Sequence, residues 1–184
     1  MVTGPDVSEI RPEDAGEVDA LLRLAFAGPD EADLVGRLRE GGAMASERII
    51  RWQGRIGAYA AISRMVAPEG WFCLAPVAVL PDWQGGALGR DRPGLEADFH
   101  FGTRIVQSCV RMFVEGPIRG VTERGLTPTL VVLGEPSFYA RCGFSRERAA
   151  RLTSPYPISH TLIARRGEDI PEDVLVYPTA FDGV

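Results

Sequence analysis

The nine residues Trp71-Phe72-Cys73-Leu74-Ala75-Pro76-Val77-Ala78-Val79 carry no charged side chain and are apolar at both alternating sets of positions. A strand of that kind has to be covered on both faces, so it belongs inside a sheet with helices packed on either side. It is interrupted by Pro76 and is far shorter than the roughly 20 residues that a membrane-spanning helix needs. It runs directly into residues 81–94, which are rich in glycine and proline. The chain therefore leaves the carboxyl end of a central strand through a tight turn, where open α/β sheets tend to bind ligands.

The flanking sequence fills in the rest of an α/β domain with a mixed sheet. Val7 to Arg11 alternates as a strand does, and Pro12-Glu13-Asp14 opens a helix, with proline suited to the first turn and acids to its positive end. Val18, Leu21, Leu22, Ala25 and Phe26 follow at helical spacing, and Gly28-Pro29 stops them. A second helix is predicted over Asp30–Glu40, ended by Gly41-Gly42. Residues 46–53 and 55–65 read as a hairpin about Gln53-Gly54. Ile105, Val106, Cys109, Val110 and Phe113 mark an amphipathic helix that starts near Gly102-Thr103. Thr129–Leu133 is a buried strand, residues 137–141 a short helix, residues 160–164 a late strand and residues 174–177 a last one. The 184 residues suit one domain with a real core, taken as residues 1–184.

Composition excludes several functions. All 20 basic side chains are arginine and lysine is absent. That removes a Schiff-base lysine and a Walker-type phosphate loop. A net charge of −5 without a basic stripe argues against nucleic acid. Three cysteines outside any CxxC pair, with two histidines, make no metal site and point to free thiols in a reducing compartment. No stretch reads as a secretory signal or membrane span, so a cytoplasmic location is expected. No G-x-S-x-G elbow is present.

Two segments can carry chemistry. In Gln84-Gly85-Gly86-Ala87-Leu88-Gly89 the glycines let backbone amides approach an anion, and a following helix start would add unpaired N–H donors. The second, Gly134-Glu135-Pro136-Ser137-Phe138-Tyr139-Ala140-Arg141-Cys142-Gly143-Phe144, places a tyrosine on a short helix just after another buried strand.

Together these two segments resemble the GCN5-related N-acetyltransferase superfamily. Its pyrophosphate motif, Q/R-x-x-G-x-G/A, is followed by Gln84 to Gly89, with Ala87 in place of the first motif glycine. Its later aromatic pair before a Gly-Phe step matches Phe138-Tyr139 and Gly143-Phe144. Leu74 to Val79, Val132 to Pro136 and Val176 to Phe181 are similar to the predicted bacterial acetyltransferases of the YhbS-like branch. The resemblance spans roughly residues 7–181. It implies a mostly antiparallel sheet with two splayed parallel strands, Phe72 to Val79 and Thr129–Leu133, flanked by helices.

It also implies acetyl-CoA as co-substrate and an amine acceptor attacked directly, with no metal. The backbone of Val77, Ala78 and Val79 would hold the pantetheine arm. Gln84, Gly85, Gly86, Ala87, Leu88 and Gly89 would hold the pyrophosphate. Residues 90–101 look inserted between motif and helix, so an alternative places the pyrophosphate on the amides of Gly102 and Thr103. Tyr139 would hydrogen-bond the leaving thiolate; it also fits as packing for Phe138 and Phe144. The family's usual strand glutamate is missing between Phe72 and Val79. Glu135 is the nearest carboxylate by motif position, and it also fits as a helix cap before Pro136. The acceptor pocket would come from residues 26–42 and 152–159. A symmetric homodimer is the default for such a chain. Two other functions compete: a non-catalytic acyl-CoA-binding or sensing module, and an interaction domain on a degenerate copy of the fold.

Overall fold

The computed structural model describes residues 5–85 and 100–183. Ten elements follow in chain order: β1 (Val7–Glu9), α1 (Ala15–Ala25), α2 (Asp30–Glu40), β2 (Met44–Trp52), β3 (Arg55–Arg64), β4 (Trp71–Val79), α3 (Phe101–Val110), β5 (Thr129–Leu133), α4 (Pro136–Ala140) and β6 (Thr161–Arg165). The strands form one six-stranded sheet in sequence order. Every neighbouring pair is antiparallel except β4 and β5, which run parallel. The mixed, mostly antiparallel sheet flanked by helices agrees with the sequence reading.

Local chemistry explains the elements. Pro12 sits in a short 3-10 turn, Pro12–Asp14, so α1 begins at Ala15 rather than at the proline. The β2–β3 hairpin turns at Gln53 and Gly54, both with positive φ (49° and 79°), the geometry of a tight hairpin. The apolar alternation of β4 is resolved by two cores. Phe72 and Leu74 join one with α1 and α3, while Trp71 and Cys73 join another with Leu34 and Leu38 of α2 and with Phe181 of the C-terminal tail. Leu130 and Val132 of β5 face the first core and Val131 the second. The sheet is thus covered on both sides, as an apolar central strand requires. Residues 174–177 form only isolated bridges, Val174 with Thr153 and Val176 with Ala67, rather than a last strand. The tail there is occupied in covering the second core, where Leu175 is buried.

Two irregularities position the site. Opposite β3, the register steps from Ala60↔Val77 to Ile62↔Leu74, so β4 carries one extra residue around Ala75 and Pro76. Proline cannot donate to a ladder, and a bulge is where a strand tolerates it. On the other side, pairing of β4 with β5 ends at Cys73↔Val131, while β5 continues along β6 to Leu133↔Thr161. Beyond Cys73 the two parallel strands part.

Candidate active site

Where β4 leaves β5, its backbone groups alternate between β3 and open space. Leu80 donates its amide to Gly57 O at 2.9 Å. Alternation then turns Ala78 toward Tyr59, its register partner, and turns Val77 and Val79 into the gap. Gln84 Nε2 donates to Val79 O at 3.0 Å, which confirms the outward direction of that carbonyl. Of the three β4 residues expected to offer backbone groups, two face the gap and Ala78 faces the sheet.

The gap opens into a cavity of about 430 Å³ bounded by Val77, Val79, Gln84, Gly85, Gly102, Thr103, Phe138, Tyr139 and Arg141. Its floor is the start of α3. His100 is the residue before the helix and gives no side-chain cap, and Arg104 is the first amide of the run to reach back, to His100 O at 2.9 Å. The amides of Gly102 and Thr103 are left without a partner among the described residues, as the first turn of a helix dictates. A Cβ on Gly102 would make ordinary contact with both Val79 and Phe138, at 3.5 Å, so this floor lies against β4 and α4. The Arg141 guanidinium is exposed and forms no ion pair among the described residues. Free amides, the positive end of a ten-residue helix and an uncommitted arginine, with no carboxylate on the wall among the described residues, suit a polyanion. Gly86, Ala87, Leu88 and Gly89, and residues 90–99 of the expected insertion, lie outside the described residues. The start of α3 at Phe101 agrees with the helix expected near Gly102 and Thr103.

Trp83 braces this region. It is buried, stands edge-on to Trp52 with ring centroids 5.5 Å apart and packs on Phe101 at 4.9 Å. A Cβ on Gly57 would sit 1.9 Å from its ring, so the indole lies directly on the β3 backbone there.

Tyr139 stands on α4 at the edge of this cavity. Its ring meets Phe138 and Phe144 edge-on, at 4.9 and 5.7 Å. Its ring atom Cε2 lies only 2.3 Å from the place where a Cβ on Gly134 would be. The hydroxyl has no hydrogen-bond partner among the described residues. Burial, with smaller contributions from Cys142 and Cys73, pushes its pKa up to about 12, so it is a neutral O–H donor. The packing of Tyr139 with Phe138 and Phe144 is as expected, and it leaves the hydroxyl without a partner among the described residues at the edge of the cavity. Glu135 is the cap of α4: Oε1 accepts from Ser137 N at 3.3 Å and from Ser137 Oγ at 3.0 Å. The Ser137 amide holds its carboxyl below the usual range. It is exposed and lines neither this cavity nor the one beside it.

That second cavity, about 320 Å³, shares Val77 and Tyr139 with the first. It is walled by Phe26 and Glu31 from the α1–α2 region, by Tyr156, and by Tyr177 and Phe181 of the tail. The regions 26–42 and 152–159 expected around an acceptor supply part of it. Tyr177 and Phe181 were not expected there; only their place in a matching C-terminal motif signalled them. A larger cavity of about 810 Å³ lies at the other end of β4, beside Trp71 and Phe72. It is remote from the strand parting, so size alone does not select the site. Cys73, Cys109 and Cys142 are buried free thiols, pushed by burial to about 12, 12 and 11. No group of side chains among the described residues could hold a metal ion.

No protein-family model matches the chain. Over 139 residues it is 32% identical to YhbS of Escherichia coli K12, described as an uncharacterized N-acetyltransferase, covering 72% of this chain and 69% of that protein. Its fold matches the crystal structure of Escherichia coli YhbS in complex with CoA, with a TM-score of 0.69 and 25% identity over 97% of this chain and 92% of the other. It also matches a Brucella melitensis GNAT acetyltransferase in complex with acetyl-CoA, at TM-score 0.66 and 24% identity over 96% and 97% of the two chains, a likeness of fold. With its parted parallel strands, its helix start at the gap and this degree of identity, the chain belongs to the GCN5-related N-acetyltransferase superfamily, in its YhbS-like branch.

Proposed function

We propose that the chain is an acetyl-CoA-dependent N-acetyltransferase that moves an acetyl group to a primary amine by direct attack on the thioester, with residues 1–184 working as one domain. The observation that carries this reading is the meeting of two cavities at Val77 and Tyr139, one floored by free helix amides and the other walled by aromatic rings. A donor and an acceptor entering from opposite sides would meet there.

In this reading the diphosphate of CoA sits on the amides of Gly102 and Thr103 with Arg141 beside it, and the motif residues Gln84 to Gly89 contribute as the family resemblance implies. The pantetheine arm follows β4 and takes the outward groups of Val77 and Val79. The acceptor arrives as an ammonium of pKa about 10.4 and loses one proton to water before it can attack. Its nitrogen then bonds to the thioester carbon, and a backbone N–H of β4 holds the oxyanion. The C–S bond breaks, the thiolate leaves, and the proton shed by the attacking nitrogen ends on sulfur. Tyr139 supplies a hydrogen bond to that thiolate. Full transfer from a hydroxyl of pKa about 12 to a thiolate whose thiol has pKa about 8.5 would be uphill by about 5 kcal/mol. Glu135, engaged by Ser137 and exposed, steadies α4 in this scheme and leaves proton removal to water.

The test is thermal unfolding with acetyl-CoA, CoA and ATP, followed by thiol release with a panel of amines. Ligand at about 100 times its dissociation constant adds about 2.7 kcal/mol, a rise of about 5–10 °C for a chain of this size. A shift with both CoA species, and thiol release with an amine, is expected. A shift with no thiol release from any amine would make the protein an acyl-CoA-binding module. No shift at saturating acetyl-CoA would overturn the cofactor assignment as well.

A further inference from the structure

We infer that the acceptor is a small monoamine on an apolar or aromatic body, its ammonium received by Glu31 inside the ring-lined cavity beside Tyr139. This inference rests on the acetyltransferase reading above and adds the class of substrate.

Among the described residues, Glu31 is the only carboxylate lining that cavity, and no cationic side chain lines it. It is half-buried and makes no hydrogen bond or ion pair among the described residues. Its neighbour Asp33, on the same helix, is held by Arg23 at 3.2 Å. A negative charge left without a partner among the described residues, in a half-open hollow with low-dielectric walls, is a receptor for one positive charge. The walls suit the same guest. Tyr156 meets Tyr177 edge-on at 5.0 Å, and Tyr177 meets Phe181 at 5.4 Å, so three rings form a continuous surface. Phe26 lines the same cavity and is 40% exposed. Ring faces attract a cation and accommodate an apolar body equally well.

The same features exclude the other amine classes. A polyamine or aminoglycoside brings several charges, and a single carboxylate would leave the rest unpaired in an apolar hollow. A lysine within a polypeptide brings polar backbone, which would meet Leu34 and Leu133 at the wall. At about 320 Å³ the cavity lies at the lower end of the small-molecule range of about 300–1,000 Å³. One polar feature remains for the guest or a bound water. The Tyr177 hydroxyl is buried without a hydrogen-bond partner among the described residues, although Ser154 lies close enough to influence its ionisation.

The experiment uses the full chain with saturating acetyl-CoA and measures thiol release with phenethylamine, hexylamine, spermidine and a lysine-containing peptide. Phenethylamine and hexylamine should show kcat/KM at least tenfold above the other two. Glu31→Gln should raise KM for both by tenfold or more with a smaller change in kcat, and should leave the acetyl-CoA thermal shift intact. Tyr156→Ala, which takes one ring out of the wall, should raise KM. Calorimetric binding of phenethylamine to the protein saturated with CoA gives a readout without turnover, and Glu31→Gln should abolish it. Spermidine or peptide turned over as well as the monoamines, an unchanged KM in Glu31→Gln, or phenethylamine that neither binds nor reacts would each overturn the inference. Thiol release with the wrong preference leaves the acetyltransferase reading standing; loss of the acetyl-CoA shift brings down both.

Discussion

Gly134→Ala tests the placement of Tyr139 without touching Tyr139. Gly134 follows the last residue of β5, and its amide is fixed on His160 O at 2.9 Å, so the backbone is not free to retreat. Its φ is outside the left-handed region, and alanine is therefore sterically acceptable to the backbone itself. The added methyl would stand 2.3 Å from Tyr139 Cε2, while ordinary contact begins at 3.4 Å, a deficit of 3.4 − 2.3 = 1.1 Å. Phe138 and Phe144 brace the ring on two sides, so it yields toward the cavity. Crowding of this kind costs about 1–3 kcal/mol, with the midpoint falling by about 2–4 °C per kcal/mol. The catalytic effect should be larger than the loss of stability suggests, since a misplacement of about 1 Å can cost about 100-fold in rate. The assay is thiol release with acetyl-CoA and an active amine, at a temperature where both proteins are folded. Tyr139→Phe, which removes the hydroxyl and leaves the ring, is the comparison. If both variants act through the same hydroxyl, the double variant should be no slower than the slower single one, because coupled losses do not add. A Gly134→Ala protein with parental kcat, or a double variant whose loss equals the product of the single losses, would refute the reasoning.

Four further outcomes are expected. The rate, as kcat/KM, should climb with pH toward the amine's pKa of about 10 without a falling limb from Tyr139, whose hydroxyl stays protonated to about 12; a limb below pH 10 that disappears in Tyr139→Phe would contradict this. The same raised pKa means that any stability linked to this hydroxyl is fully present below about pH 10 and is lost as the pH rises from there through about 12, which alkaline unfolding curves of parent and Tyr139→Phe would reveal. Gly57→Ala would drive a methyl to 1.9 Å from Trp83, and should lower stability by at least the roughly 1–3 kcal/mol typical of overpacking while shrinking the acetyl-CoA shift, because Trp83 braces Phe101 at the start of α3. Cys73, Cys109 and Cys142 should resist a thiol reagent at pH 8 in the folded protein and all react on unfolding; rapid labelling of the native state would show that the burial of these thiols is incomplete.

How far the sequence could be read follows from how each feature is encoded. The apolar run of β4, the Gln53-Gly54 turn and Asp30–Glu40 are local patterns, and each was legible because neighbouring residues dictate it. The bulge at Ala75 and Pro76 was not, since it is a mismatch of count between two strands; the proline was visible, but its pairing partner was not. The cofactor side of the site also lies in short runs, Gln84 onward and Gly102-Thr103, and a free helix start follows from the first turn of any helix. The acceptor side has no such run. Glu31, Tyr156, Tyr177 and Phe181 lie on separate segments that only the folded sheet and its tail bring together. Glu31 reads in sequence as one of three acids in the first turn of α2, well placed to complement the positive end of that helix. What separates it from Asp33 is the absence of an arginine partner and the presence of rings around it, and both are tertiary facts. A family that keeps one donor and changes its acceptors would be expected to write the donor site in contiguous motifs and scatter the acceptor site over loops and tails, and this chain has that division.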